Sequence, residues 1–413
     1  MANLLYLVHR LPYPPNKGDK VRSYHLLQHL LAGHRVFLGT FVDDPDDQQH
    51  VPTLQAWCAE VCAEPLQPLP AKLRSLAALA EGQPLTLRYY RNARLDRWVR
   101  EVCQREAIDA VIVFSSSMGP YTRHAVGVPV LVDLVDVDSA KWTEYARNRP
   151  WPMSWLYRRE GQRLLAYERQ IAAAAHSTFL VTEKEAELFR RLAPECAGRV
   201  HAVGNGVDAD FFAPDAQRAS PYAAGELPVV FTGAMDYWPN VDAVVWFATE
   251  VLPALRQRWP ALRFHIVGRS PTPAVQALAG EGVSVSGTVP DVRPYLQHAL
   301  AVVAPLRLAR GVQNKVLEAM AMARPVVCAA SCAEAIAAEH DHDLLAAEQA
   351  PDYVAQVGRL LEAPALAQQL GEAGRRFVLA RYGWAARLAP LDRLLAEALQ
   401  ARAPAAPAEV VSA

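Results

Sequence analysis

The sequence predicts an α/β chain built from two doubly wound, parallel-sheet domains. Three observations lead there. Short continuous runs of Val, Leu and Ile alternate with segments of helical periodicity. The alternation starts afresh near residue 228, after a polar stretch. The chain has 413 residues, enough for two domains of about 100–200 residues each.

In the first half, strands are expected at 4–8, 36–41, 109–114, 128–135, 178–181 and 200–203, with a helix at 20–31. In the second half they are expected at 228–232, 264–267, 283–286, 301–304 and 325–328, with a helix at 241–255. Continuous β-branched runs suit a parallel sheet covered on both faces. Their alternation with helices makes each half Rossmann-like. No short-period repeat suggests a solenoid. The boundary is expected at Gly204-Asn205-Gly206, where glycine and asparagine permit a sharp turn. The polar stretch 214–226 then reads as a linker. The expected domains are 1–205 and 206–384, followed by an amphipathic helix within 385–401. Residues 402–413, mostly Ala and Pro, can bury too little to fold.

Composition narrows the function. Hydrophobic residues make up 52% and charged residues 21%, as in a globular protein with a full core. A net charge of -1 argues against general nucleic-acid binding. Cys58/Cys62 and Cys328/Cys332 share a C-x3-C spacing, but the pairs lie far apart in Ala- and Val-rich surroundings. A zinc site needs a second pair or histidines close by. These cysteines, with Cys103 and Cys196, therefore read as small buried hydrophobes in a reducing cytosol, and no metal is expected. Met1 leads straight into a strand-length run, without the features of a signal peptide. No apolar stretch reaches the roughly 18–20 residues that cross a bilayer. A cytoplasmic protein is expected, with contact to the inner membrane face left open.

Open parallel sheets bind ligands outside the carboxyl ends of their strands, so two such sheets predict a ligand cleft between domains. A proline-rich loop after the first strand leads to Gly18, where backbone N–H groups at a helix start can approach an anion. Lys17, Lys20 and Arg22 add positive charge there. An ordinary strand–helix connection is the alternative. Asp133, Asp136 and Asp138 cluster at the end of another strand. Asp136 is the candidate to hold a substrate hydroxyl or take its proton, while Asp138 or Ser139 can simply cap the next helix. In the second half Gly233, Gly268 and Gly287 each follow a strand, and Asn240 starts a helix. Such bare backbone suits a diphosphate. The densest segment runs from Arg310 and Gly311 to Lys315 and Glu318. Lys315 and Glu318 share a helix face. The cation suits a diphosphate and the carboxylate suits a pair of ribose hydroxyls. An ordinary i,i+3 ion pair is the alternative.

These segments together resemble a known family. Val203-Gly204-Asn205-Gly206-Val207-Asp208 with Phe211-Phe212-Ala213-Pro214, and the stretch from Gly311 ending Leu317-Glu318-Ala319-Met320-Ala321, resemble retaining GT-B glycosyltransferase family 4. Residues 231–242 and 133–142 resemble a narrower branch, the sugar transferases of PEP-CTERM/exosortase exopolysaccharide systems. The similarity runs from Leu4 to about Leu399.

The resemblance implies a GT-B fold with a nucleotide-sugar donor as substrate, no metal or other cofactor, and a glycan or polyprenyl-linked acceptor on the N-terminal domain. Glu318 would hold the ribose. Lys315 and the backbone near Gly311 and Gly233 would hold the diphosphate, with Asn240 beside it. The backbone around Val289 would meet the base. Asp136 and Lys315 would serve the chemistry, and the last helix would cross back to the first domain.

The sequence also departs from the family. Arg310 stands where relatives carry a glutamate that places the donor sugar. Residues 234–241 lack the usual Arg and Lys, for which Lys315, Arg310 or Arg269 can compensate. Val135 stands in place of a histidine. A nucleotide-binding scaffold subunit or a sugar-nucleotide epimerase remain alternatives. Basic and aromatic clusters, among them Lys72, Arg74, Arg88-Tyr89-Tyr90-Arg91, Trp151, Trp155 and Arg158-Arg159, suit either peripheral contact with an anionic membrane or solvated helix faces.

Overall fold

The apolar runs form two separate parallel sheets. The computed structural model describes residues 1–15, 18–147, 150–307 and 312–401. Lys17, Arg310, Gly311 and the tail 402–413 lie outside the described residues.

The first sheet contains β1 (Asn3–Val8), β2 (Arg35–Val42), β3 (Glu60–Pro65), β4 (Ala110–Phe114), β5 (Val130–Val135), β6 (Ser177–Leu180) and β7 (Val200–Ala202). Their order is β3-β2-β1-β4-β5-β6-β7, and every pairing is parallel. The second contains β8 (Leu227–Thr232), β9 (Leu262–Val267), β10 (Val283–Gly287), β11 (Ala301–Ala304), β12 (Val326–Ala329) and β13 (Leu345–Ala347). Its order is β10-β9-β8-β11-β12-β13, again wholly parallel.

In both sheets the chain winds outward one way from the first strand, then returns to wind the other way. This is the doubly wound order, and it creates a switch point between β1 and β4 and another between β8 and β11. The central strands are apolar without alternation because helices cover both faces. Leu4 to Val8 and Ala110 to Phe114 are all fully buried.

The chain divides into two compact units. One holds residues 1–205 together with the chain from Arg387 onward, and the other is Gly206–Ala386. Each has its own core, one around Leu5, Val113 and Phe189 and the other around Phe231, Phe264 and Tyr353. The helix Trp384–Ala401 begins in the second unit and continues into the first. No helix of the described residues is long and apolar enough to cross a membrane.

Candidate functional site

The second unit brings four of the expected residues to its switch point. β8 ends at Thr232, and Gly233 follows at the turn. A side chain could not fit at the next glycine along the sheet edge. A Cβ on Gly268, just after β9, would lie 1.6 Å from the Gly233 carbonyl oxygen. The two bare turns therefore pack directly on each other, held by Gly233 N–H donating to Val267 O (3.0 Å) and Met235 N–H to Arg269 O (2.8 Å). A Cβ on Gly233 would in turn lie 2.8 Å from Asn240 Nδ2 and 3.3 Å from Lys315 Nζ. Lys315 and Asn240 thus press against backbone that only glycine leaves open.

Asn240 sits in the first turn of the helix Trp238–Trp246 and is buried. Its Nδ2 donates to Ala234 O at 2.9 Å, which turns Oδ1 outward to accept from Lys315 Nζ. The ammonium also lies 4.4 Å from the centre of the Phe231 ring, a cation–π contact. Burial lowers the Lys315 pKa to about 8, the Glu318 carboxylate opposing the shift. Burial likewise raises Glu318 to about 7, with Lys315 opposing. Glu318 makes no side-chain hydrogen bond or ion pair among the described residues, so the i,i+3 ion pair weighed as the alternative reading does not close there. Its helix, Asn314–Ala321, starts three residues beyond Gly311, where the sequence suggested the start. With the helix Trp238–Trp246, it offers two N-termini whose leading N–H groups lack helical partners, a setting that favours anions.

The remaining donor-side candidates are less committed. Arg269 is exposed, and its side chain makes no hydrogen bond or ion pair among the described residues. Val289 is half-buried against the core of its unit. Sequence reasoning missed Phe231 as the ring beneath the lysine. Cys332 is buried, as the sequence reading expected, and burial raises its thiol to about 11 while Lys315 opposes. The only signal for Phe231 was its place one residue before the strand end.

In the first unit Asp136 follows β5, where Val135 adopts a left-handed φ of 68°. Its carboxylate accepts from Lys141 Nζ at 2.8 Å, and Asp138 accepts from the same ammonium at 3.1 Å. Burial disfavours the charge on Lys141, but the Asp138 and Asp136 carboxylates outweigh it and raise its pKa. Ser139 spends its hydroxyl on the buried Glu168 carboxyl, 2.5 Å away.

Gly18 does start a helix, Gly18–Gly33, but the basic residues after it serve the interior. Lys20 is buried against Asp47 (2.8 Å), and Arg22 is buried against Asp133 (2.8 Å) and Asn205 (3.0 Å). Both are consumed by partners inside their own unit, so the expectation that they add charge for a ligand is corrected. At the end of β1, His9 stacks on Phe114 with ring centres 5.9 Å apart, and Arg10 pairs with Asp43 at 3.0 Å.

Two doubly wound sheets, one carrying a lysine, a carboxylate and bare glycine turns at its switch point, define a doubly wound α/β protein of two units. Sequence comparison gives the family. The family described as Glycosyl transferase 4-like domain matches residues 18–206, and that described as Glycosyl transferases group 1 matches residues 226–363. Together they span most of the chain, which belongs to the GT-B glycosyltransferases.

Among curated proteins, D-inositol 3-phosphate glycosyltransferase 2 of Catenulispora acidiphila is 29% identical over 54% of this chain and 57% of its own length. The match thus spans little more than half of that relative. Among solved structures, sucrose-phosphate synthase from Thermosynechococcus elongatus has a TM-score of 0.64 at 19% identity, covering 97% of this chain and 100% of that one. HepE of Anabaena in complex with UDP has a TM-score of 0.64 at 15% identity, covering 96% and 100%. HepE is also solved in complex with UDP-glucose. At these identities the likeness is one of fold.

Proposed function

We propose that this protein is a retaining glycosyltransferase that moves a sugar from a nucleoside-diphosphate sugar to a glycan or polyprenyl-linked acceptor, in exopolysaccharide assembly at the inner face of the cytoplasmic membrane. The observation that carries the donor half is the placement of Lys315 Nζ against Gly233 and Asn240, with Glu318, which has no side-chain partner among the described residues, one turn further on.

Lys315 and the bare backbone at Gly233 meet the diphosphate. Glu318 accepts from the ribose hydroxyls, and the backbone at Val289 borders the base. The bond from the anomeric carbon to the diphosphate oxygen breaks as the acceptor oxygen bonds to the same face. The acceptor proton passes to the departing phosphate, so configuration is kept. Charge building on that phosphate is the main demand, and one well-placed donor meeting it contributes about 3–4 kcal/mol. In the first unit Asp136, already polarised by Lys141, holds the acceptor hydroxyl. The HepE complexes with UDP and UDP-glucose support a uridine donor as the first to try.

The test is calorimetric titration with UDP-, GDP-, ADP- and dTDP-sugars, with and without EDTA. One donor is expected to bind, and to bind equally in EDTA because Lys315 supplies the positive charge. Lys315→Ala and Glu318→Ala should each weaken it by about tenfold or more, the loss of one charged hydrogen bond. Unchanged affinity in both variants would show the donor site is elsewhere. Arg310, standing where relatives carry glutamate, favours a second reading: a scaffold subunit that binds nucleotide without turnover. Product analysis separates the two.

A further inference from the structure

The first unit contains a cavity of about 910 Å³, within the size range of small-molecule sites. Its walls come from the helices Pro68–Ser75, Leu85–Tyr89, Ala93–Arg105 and Met153–Ala174 and the 3₁₀ segment Ser116–His124. Five arginines line it against a single carboxylate, Asp96. Two of the five are already neutralised, Arg88 by Glu81 at 3.2 Å and Arg123 by Asp96 at 2.7 Å. Arg74, Arg91 and Arg163 have no side-chain partner among the described residues. Three unpaired guanidiniums around one cavity are a standing attraction for a multiply charged anion, because arginine's planar fork matches phosphate oxygens two at a time. Tyr167 lines the cavity too, and its hydroxyl makes no hydrogen bond to the described residues.

The segment that supplies Arg74 also carries an exposed apolar face. Leu69, Leu73 and Leu76 are 74%, 71% and 49% exposed. They follow one another at i, i+4 and i+7, so they share one face, while Ala71, Ser75 and Ala78 on the other face are buried. This segment also delivers Arg74 and Ala77 to the cavity. Beside the cavity, a shallower groove of about 340 Å³ shares Arg163 and Ala166 with it and adds Trp155, Arg158 and Arg159. Trp155 is half exposed. Arg159 ties the two rims together by donating to Ala78 O at 2.9 Å and Gln83 O at 3.2 Å. Clustered exposed apolar side chains of this kind mark a contact with something apolar. A free inorganic anion would use the arginines and leave the leucines and tryptophan idle.

We infer that this cavity binds the head of an anionic amphiphile, a phosphate or diphosphate joined to an apolar chain, with Arg74, Arg91 and Arg163 on the head and the Leu69–Leu73–Leu76 face and Trp155 on the chain. That this amphiphile is the sugar acceptor rests on the glycosyltransferase reading, whereas its binding does not.

The probe is farnesyl diphosphate, titrated calorimetrically into the full chain beside inorganic pyrophosphate. Farnesyl diphosphate should bind at least about tenfold more tightly than pyrophosphate, because only it covers the apolar rim. Replacing Arg74, Arg91 and Arg163 together by Glu should abolish both affinities while leaving nucleotide-sugar binding intact. If that variant does not fold, the triple Arg→Gln variant should weaken both probes about tenfold or more. Replacing Leu69, Leu73 and Leu76 together by Ser should weaken farnesyl diphosphate alone. Equal affinity for the two probes, or no effect of the arginine variants, overturns the proposal. So does binding to phosphatidylglycerol vesicles without affinity for soluble farnesyl diphosphate, which would make the surface a membrane contact only. Loss of nucleotide-sugar binding in the wild type would defeat the proposed function and leave this result standing.

Discussion

Lys315 and Glu318 lie one turn apart on one helix, and burial pushes them toward neutrality from opposite sides, to about 8 and about 7. A bound diphosphate favours the charged lysine, and ribose hydroxyls favour the ionised carboxylate. Donor affinity should therefore peak between pH 7 and 8. Above that window the empty site must take up a proton on Lys315 to bind, and below it Glu318 must release one. Each arm should fall up to about tenfold per pH unit. Titrations in buffers of different ionisation enthalpy should show uptake on the alkaline side and release on the acidic side. A flat profile would separate these groups from the ligand. Glu168 makes a related prediction about stability. Burial raises its pKa to about 8, though Ser139 donates to it. The folded state therefore holds a proton that the unfolded state releases, and stability falls as pH rises from the ordinary carboxylate range through 8. Glu168→Gln keeps the acceptor for Ser139 and removes the ionisation. It should match the wild type near pH 4 and exceed it by at least about 1.4 kcal/mol, one pKa unit, at pH 8–9, measured by urea unfolding. At this scale the sequence revealed the candidate lysine, carboxylate and glycine through local spacing. It misassigned Lys20 and Arg22 because their partners, Asp47 and Asp133, lie 27 and 111 residues away. Spacing along one helix carries no trace of such a partner.

The central strands were legible, as were the edge strands β7 and β10, whereas the edges β3 and β13 were not. β1, β4, β8 and β11 are continuous apolar runs because both faces are covered. β3 reads Glu60-Val61-Cys62-Ala63-Glu64-Pro65 and is mostly half-buried. β13 has three residues, two of them alanine. Each sits at a sheet edge, where a polar or short segment suffices, so neither produced a signal. The helix expected at 241–255 is divided in the structure. Trp238–Trp246 gives way to a π-helical turn at Phe247–Val251 before Leu252–Arg258. Pro253 has no N–H to give its preceding turn and its ring crowds the carbonyl four residues back, which a wider turn relieves. The glycine turns after β8 and β9 are where element geometry meets the site. Gly268→Ala would drive a methyl group into the Gly233 carbonyl. It should destabilise the protein by about 1–3 kcal/mol, as overpacking does. It should also displace Gly233 from Lys315 and so weaken donor binding even in the molecules that stay folded. Calorimetry well below the melting temperature separates the two effects, and a variant that loses stability but keeps donor affinity would show the turn is structural only.

Two sheets with two separate cores make the whole molecule a pair of folding units, and the buried ion pair between Arg22 and Asp133 belongs to one of them. Both side chains are almost wholly buried, and they lie on the helix after β1 and on β5, on either side of the β1–β4 switch point. Arg22 also holds Asn205, the last residue before the second unit begins. Arg22→Met keeps most of the side-chain volume but leaves the Asp133 carboxylate buried with, among the described residues, only the Val135 N–H, at 3.0 Å, to satisfy it. Removing one member of a buried pair typically destabilises by about 3–5 kcal/mol, because the other charge stays behind without compensation. In a unit of this size that corresponds to a melting shift on the order of 10 °C. Asp133→Asn in the same background removes the stranded charge and should restore part of the loss. The second unit contains neither residue, so the nucleotide-sugar affinity proposed for it should be unchanged at temperatures where both units are folded. Scanning calorimetry with and without the nucleotide sugar provides the test. The transition that the ligand does not protect should move down, and the one that it protects should stay. Equal movement of both transitions would mean that the units unfold as one cooperative block and that the two cores are coupled more tightly than their separation suggests.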